Sequence, residues 1–408
     1  MITQSPGHLV TRVISLERYG EVLRVPELRA ALAASIVGRV PIGVATLAIL
    51  LFLQGRTGSF ALAGSAAALY VLGLAAVAPL LGRMIDRLGP RPVLSLDAAL
   101  YPGMLFALVV LAVKTESRWA IAVAALAAGA SFPPITICMR ALYPRLVPDV
   151  GLLQAAYSMD SAVVETLFIA GPALVALFVA AGYPVGALLF AAVCAGAGNV
   201  VFLRSPAVKK WTVHAPGERR SLLGPLRYPR LVAVFAATVL YSVAFGLYEI
   251  AVTAFAASRG MPAAAGVILA LASVGSAAGV IVYGGREWPL SGSRQLLVAM
   301  ALMAGGLALI APVSNLYLFG LMSIVACAPM APVIAAQSLL VSRLAPRHML
   351  AESFTWGATC LLGGVSAGIA AGGVLAEHVA PSWILLGAAA ATLAAAAIVW
   401  LTLGAARH

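Results

Sequence analysis

Away from the end residues, five side chains carry charge inside stretches that would otherwise dissolve in lipid: Arg39, Asp97, Asp160, Glu165 and Glu249. Charge at bilayer depth costs about 3 kcal/mol on insertion scales, so such residues normally face a cavity or a partner. The chemistry open to them is narrow. A desolvated carboxylate takes up and releases a proton, and a buried guanidinium orients an anionic group or sets the charge state of a neighbouring carboxylate.

Arg39 lies in SIVGRVPIGVATL, Ser35 to Leu47, about eleven residues or roughly 16 Å into its apolar stretch and so near the midplane. Ser35, Arg39, Gly43 and Thr46 recur at helical spacing as one small, polar stripe, which predicts a face turned into a bundle. Pro41 and Gly43 predict a loosened helix at the same place. Asp160 and Glu165 lie roughly 12 and 20 Å into a later stretch, bracketing the depth of Arg39, and point about 140° apart, so one helix face cannot present both. Glu249, in YSVAFGLYEIAV, has Tyr241 and Tyr248 within about 90° of it. It reads either as a proton carrier or as a rim residue that pairs or snorkels. Asp97, at the edge of its stretch, is expected to partner Arg83 or Arg87. Met330, Gln337, Thr355, Trp356 and Thr359 are placed to line an opposite wall, and Gly363, Gly364, Gly368, Gly372 and Gly373 read as close helix packing.

The elements that must hold these groups are transmembrane helices. The 408 residues are 62% hydrophobic and 10% charged, with a mean hydropathy of +1.02, values foreign to a water-soluble globule. Twelve stretches meet the length a spanning helix requires, at about 28–53, 59–81, 93–113, 119–140, 152–180, 185–203, 231–256, 263–283, 295–311, 316–341, 351–375 and 382–403. They lack the alternation of barrel strands. No signal-peptide pattern precedes the first, which is therefore expected to be retained.

The net charge of +12 is a matter of topology rather than of nucleic-acid binding. Arg56, Lys114, Arg118 and Arg259 are the only Lys or Arg residues expected on one face, while the rest outside the spans crowd the other. That asymmetry predicts a multi-pass protein of the cytoplasmic (inner) membrane with both termini in the cytoplasm. Cys138, Cys194, Cys327 and Cys360 stand singly and read as small core residues, with no metal-ligand spacing. His8, His214, His348, His378 and His408 fall outside the stretches, and neither a hydrolytic nor a nucleotide-binding motif occurs. Neither an enzyme nor a cofactor or metal site is expected.

The chain repeats itself about 200 positions apart. GRMIDRLGPR (Gly82 to Arg91) recurs as GREWPLSGSR (Gly285 to Arg294), and FPPITICMRALYPRLVP (Phe132 to Pro148) as MAPVIAAQSLLVSRLAP (Met330 to Pro346). The organisation expected is a cytoplasmic tail at 1–27, a six-helix bundle at 28–203, a basic linker at 204–230 and a second bundle at 231–408.

GRMIDRLGPR resembles the loop between the second and third helices of the major facilitator superfamily, G-x-x-x-D-(R/K)-x-G-x-(R/K)-(R/K). Gly82, Asp86, Arg87, Gly89 and Arg91 match, and Pro92 stands where a second basic residue is usual. The resemblance spans essentially the whole chain. It implies an all-α integral membrane fold of twelve transmembrane helices in two pseudo-symmetric six-helix bundles. It also implies that this loop latches the halves on the cytoplasmic side, with Asp86 pairing a neighbouring arginine and Asp97 close by. Because Pro289 and Leu290 replace the Asp-Arg pair in the second copy, the latch is expected to work mainly from the first half.

Gly171 and Pro172 resemble the Gly-Pro of the antiporter signature in the fifth helix, although Leu167, Val175 and Ala176 replace its other glycines. The dipeptide reads equally as a kink. The family's arrangement turns that face toward the seam between the halves, which implies that Asp160 looks to the seam or cavity and Glu165 into the first bundle; the pairing expected is Arg39 with Glu165, leaving Asp160 more accessible. The function implied is a secondary active transporter working by alternating access, with proton-coupled efflux of a small amphipathic or anionic organic compound as its leading form. Arg39 would meet an anionic group or a carboxylate, and Asp160, Glu165 or Glu249 would carry the proton. Proton-coupled uptake of an organic anion is the alternative, and a non-transporting sensor or lipid scramblase the alternative of another class. The partners implied are a small-molecule substrate, protons and the bilayer, without nucleic acid, around a monomer.

Overall fold

In the computed structural model, residues 16–115, 117–147, 149–213, 224–261 and 264–404 are described. Residues 1–15 of the expected tail, Pro148 of the repeated motif, residues 214–223 of the linker, and His8, His214 and His408 lie outside the described residues. Among the described residues the fold is all-helical, with twelve helices long and apolar enough to cross a membrane. They run Pro26–Thr57, Leu62–Leu88, Pro90–Lys114, Arg118–Leu146, Val150–Ala180 and Pro184–Arg204 in the first half. In the second half they run Pro229–Ser258, Ala264–Gly284, Gly292–Ile310, Leu316–Leu344, Arg347–Ala376 and Pro381–Leu403. Below they are numbered as spans one to twelve. The face that carries the Gly82–Arg91 turn and the 204–230 linker is called the basic face. Within the expected tail a short helix, Glu17–Arg24, precedes the first span.

Three spans are interrupted near mid-depth, each at proline. The first breaks between Pro26–Arg39 and Pro41–Thr57, where Val40 N–H turns to the Val37 carbonyl (3.2 Å) and Gly43 N–H to the Val40 carbonyl (3.2 Å). A proline has no N–H to continue the ladder, and these tighter bonds take over the local carbonyls. The fourth breaks between Arg118–Ala130 and Ile135–Leu146 at Pro133 and Pro134. The tenth breaks between Leu316–Ala326 and Met330–Leu344 at Pro329. The fourth and tenth are repeat-related, so the interruption recurs in both halves. Irregular backbone at this depth persists only where protein encloses it.

Small residues set the helix crossings. In span one, a Cβ on Gly43 would collide with the Leu167 carbonyl, and one on Gly171 with the Gly43 backbone. Gly171 is thus a contact between spans five and one inside the first half, not a residue of the seam. Span five runs through Pro172 as one helix, Val150–Ala180. Of the five glycines expected to pack in span eleven, Gly364, Gly368 and Gly372 press on span seven, while Gly363 and Gly373 meet nothing within 4 Å.

The buried apolar side chains form two clusters. One joins the basic-face part of the first half, including Ile85, Met139, Tyr143 and Tyr157, to the core of the second half. The other, with Ile49, Tyr70, Leu108 and Ala187, belongs to the far side of the first half alone. The halves are therefore fused on the basic side. Gly43→Val should lower stability by about 2 kcal/mol through overpacking against span five, whereas Gly373→Ala should be neutral; thermal unfolding of the two variants in detergent checks both.

Candidate functional site

The break in the first span leaves Arg39 as the last residue of its half-helix, 1% exposed. Its Nη1 donates to Oδ1 of Asp160 (2.7 Å), which is fully buried in span five. Arg140 Nε donates to Asp160 Oδ2 (2.9 Å), and the Tyr143 hydroxyl donates to Oδ1 (3.1 Å). Two guanidiniums share one carboxylate, leaving the cluster with net positive charge. Arg39 therefore pairs with Asp160 and not with Glu165, and Asp160 is enclosed instead of facing the seam. The cause is azimuthal: the face of span five that carries Asp160 and Gly171 lies against span one.

Arg140 is the member nearest the seam. Its side chain keeps 13% exposure, and its Nη atoms make none of the described hydrogen bonds. Its carbonyl accepts from Tyr157 (3.1 Å), whose ring meets Phe354 of span eleven at 6.0 Å. Nothing in the spacing alone marked Arg140, because it falls at the expected end of span four. The break at Pro133–Pro134 starts a new half-helix at Ile135 and continues it to Leu146, which puts Arg140 inside the membrane.

Glu165 is half-buried and faces the other half of the molecule. Its Oε1 accepts from Ser276 of span eight (3.0 Å), and Ser276 Oγ in turn accepts the Ala331 N–H (3.0 Å) at the start of the second half-helix of span ten. Glu165 thus bridges the halves near mid-span, and no Lys or Arg pairs with it among the described residues. Tyr241 and Tyr248 are buried, but Glu249 is exposed, so the three do not form one group. Tyr241 lies 3.4 Å from Gln337 Oε1 as a long hydrogen bond. Thr359 donates to the Ala75 carbonyl of span two (2.9 Å), and half-buried Trp356 keeps a buried, unpartnered indole N–H. Thr355 lies against Gly82, and Met330 is half-buried at the span-ten break.

On the basic face the signature loop meets span eleven. Asp86 accepts the Ala351 and Glu352 N–H groups (3.0 and 2.8 Å) at the start of the helix Leu350–Ala376. A carboxylate here satisfies orphan donors and complements the helix dipole. Asp86 therefore caps a helix instead of pairing a neighbouring arginine. The ion pair belongs to Arg83, whose Nη2 and Nε donate to Glu352 Oε1 (2.6 and 3.0 Å). Arg87 and Arg91 are exposed, and Gly89 holds a left-handed turn at φ +81° that disfavours a side chain. Asp97 partners neither Arg83 nor Arg87: its Oδ2 is buried without a hydrogen-bond partner.

On the basic face the repeat-related contact between spans five and eight is made by neutral groups, with an Arg18–Glu287 pair (3.7 Å) beside it. Gln154, placed after Pro148 as Glu352 is after Pro346, donates to the Tyr283 carbonyl (2.7 Å). Tyr19 donates to the Ile281 carbonyl (2.8 Å), its phenol pushed up to about 12 by burial and so kept as a donor. Among the described residues, every hydrogen bond between the halves lies at mid-span or on the basic side. The other side of the seam has none.

These features define a polytopic membrane transporter built from two six-helix halves that are closed on one face. Residues 31–361 match the Major Facilitator Superfamily, and the chain belongs to that family. It is 27% identical over 290 residues to the MFS-type transporter y4rN of Sinorhizobium fredii, covering 64% of this chain and 66% of that relative. The chain thus spans just under two thirds of its relative's length. In fold it is similar to a bacterial homologue of the iron transporter ferroportin in an outward-facing state, with TM-score 0.75 and 14% identity over 91% of this chain and 98% of that one. It is also similar to the human organic anion transporter MFSD10 (TETRAN), with TM-score 0.67 and 17% identity over 97% and 100%.

Replacing Arg39 by Gln should destabilise the protein by about 3 kcal/mol, because a buried carboxylate loses a partner, and the double variant Arg39→Gln/Asp160→Asn should recover part of the loss. Adding Glu165→Gln to Arg39→Gln should be additive within about 0.5 kcal/mol. Thermal unfolding of the wild type, Arg39→Gln, Arg39→Gln/Asp160→Asn, Glu165→Gln and Arg39→Gln/Glu165→Gln reads all the terms.

Proposed function

We propose that this chain is a proton-coupled exporter of small organic anions that works by alternating access, with Arg140 as the anion site and Glu165 as the proton carrier. The observation that carries the reading is the division of labour between the two carboxylates of span five. Asp160 is held by two guanidiniums and a phenol, so its charge is fixed. Glu165 is half-buried, takes one side-chain hydrogen bond from across the seam, and is free to exchange a proton as that seam opens.

The net positive cluster favours an anion over a metal cation as cargo. A substrate carboxylate reaching the free edge of Arg140 would meet charge-assisted donors beside the aromatic rings of Tyr157 and Phe354. The ferroportin homologue and the organic anion transporter are both similar in fold alone, so the choice of cargo rests on the charge of the cluster. With the basic face taken as cytoplasmic, the closed face is the inner one and the unbridged side of the seam faces outward. The Arg83–Glu352 pair and the Asp86 cap then form the inner gate. The protein is read as an inner-membrane monomer with both termini inside.

Proteoliposomes test this. Uptake of radiolabelled monocarboxylates into the vesicles should require an inside-acid pH gradient, as proton exchange demands, and Arg140→Gln should weaken anion binding roughly 10- to 100-fold, the worth of a charged hydrogen bond. Flux driven by a gradient of the opposite sign would overturn export in favour of uptake. Flux indifferent to pH would overturn the coupling.

A further inference from the structure

The side of Arg39 turned from Asp160 has no use in the site above. Its Nε and Nη2 are buried and make no hydrogen bond. In spans three, four and six, three more side chains share that condition: Asp97 Oδ2, Thr136 Oγ1, and Asn199 Oδ1 and Nδ2. Arg39, Asp97 and Asn199 are at most 3% exposed.

The backbone places them together. Gly38, beside Arg39, touches the Ile135 side chain and the Gly198 backbone, the immediate neighbours of Thr136 and Asn199. Gly196, one turn before Asn199, faces the carbonyl of Ala98, the neighbour of Asp97 (3.5 Å from an ideal Cβ). Cys138, buried on span four, lies within electrostatic reach of both Asp97 and Arg39. The set contains donors and acceptors in balance: a guanidinium edge, an amide, a hydroxyl and a carboxylate oxygen. Buried polar atoms in native proteins that no protein group satisfies are ordinarily satisfied by enclosed water, each molecule making two to four hydrogen bonds.

We propose that the first bundle encloses a cluster of ordered water among spans one, three, four and six, joining the free edge of Arg39 to Asn199, Thr136 and Asp97. These side chains belong to spans of the first bundle, apart from the Glu165–Ser276 bridge of the seam. The water gives the buried ion cluster a hydrogen-bonded link toward the basic face through Asp97, which lies about 10 Å into span three. A dry arrangement would leave a carboxylate oxygen and a guanidinium edge unsatisfied in the same layer of helices.

X-ray radiolytic footprinting of the full-length protein in lipid nanodiscs reads enclosed water, because hydroxyl radicals formed there oxidise side chains that bulk solvent does not reach. Cys138 and Met139, both 0% exposed, should be oxidised several-fold faster than Met303, also 0% exposed and in the second half. In ¹⁸O-labelled water flushed in before exposure, the added oxygen should carry the label with a lag that reflects slow exchange. Asn199→Leu should cut the Met139 rate toward that of Met303, and Thr136→Val offers the same reading if the leucine variant does not fold. Wild-type Cys138 and Met139 as protected as Met303 would overturn the proposal without touching the assignment of Arg140 and Glu165.

Discussion

Asp160 is the point on which the first half depends. Its two oxygens take guanidiniums from two different spans, and both of those spans are broken where the arginines need to reach inward. Span one stops at Arg39 because Pro41 follows, and span four restarts at Ile135 after Pro133 and Pro134. An enclosed charge is tolerable only when its partners are held in place, and the carboxylate in turn ties two interrupted helices to an unbroken one. The tight contact of Gly43 with Gly171 sets the approach of spans one and five that this bonding requires.

The polarity of the seam follows from the same asymmetry. On the basic side the halves meet through charge: Arg83 with Glu352, and Asp86 with the first N–H groups of span eleven. The repeat-related contact of Gln154 with span eight is neutral, since Pro289 stands where Asp86 would repeat. The joint apolar core lies on the same side, while the far part of the first half has a core of its own. On the function proposed above, a structure fused on one face and divided on the other is one end state of a rocking motion. On the proposed reading Glu165, bridging to Ser276 at mid-span, is where a proton meets that motion.

Much of the fold was legible in the sequence. Twelve apolar runs, a repeat about 200 residues long and one loop signature are enough for two six-helix halves, and Pro41 marked the break beside Arg39. The pairing of charges was not legible, for a definite reason. Helical phase says which residues of span five share a face, but not which neighbour that face meets; the Gly-Pro face turned to span one, and Arg39 took Asp160. Arg140 was hidden because two prolines extended its span beyond the apolar run. Glu352 and Gln154 sit at matching positions after the repeated prolines, a signal that was present in the sequence but pointed to contacts only once spans eleven and eight were placed. Glu249 shows the reverse failure: a plausible arc of three side chains is divided because the tyrosines are buried and the carboxylate is not.

The claim that Asp160 holds fixed charge while Glu165 exchanges the proton is most directly tested by infrared difference spectroscopy between alkaline and acidic pH, read at the C=O stretch of a protonated carboxyl group. The account predicts a band in the wild-type protein that survives Glu249→Gln and loses its main component in Glu165→Gln. A band unchanged by Glu165→Gln would contradict it.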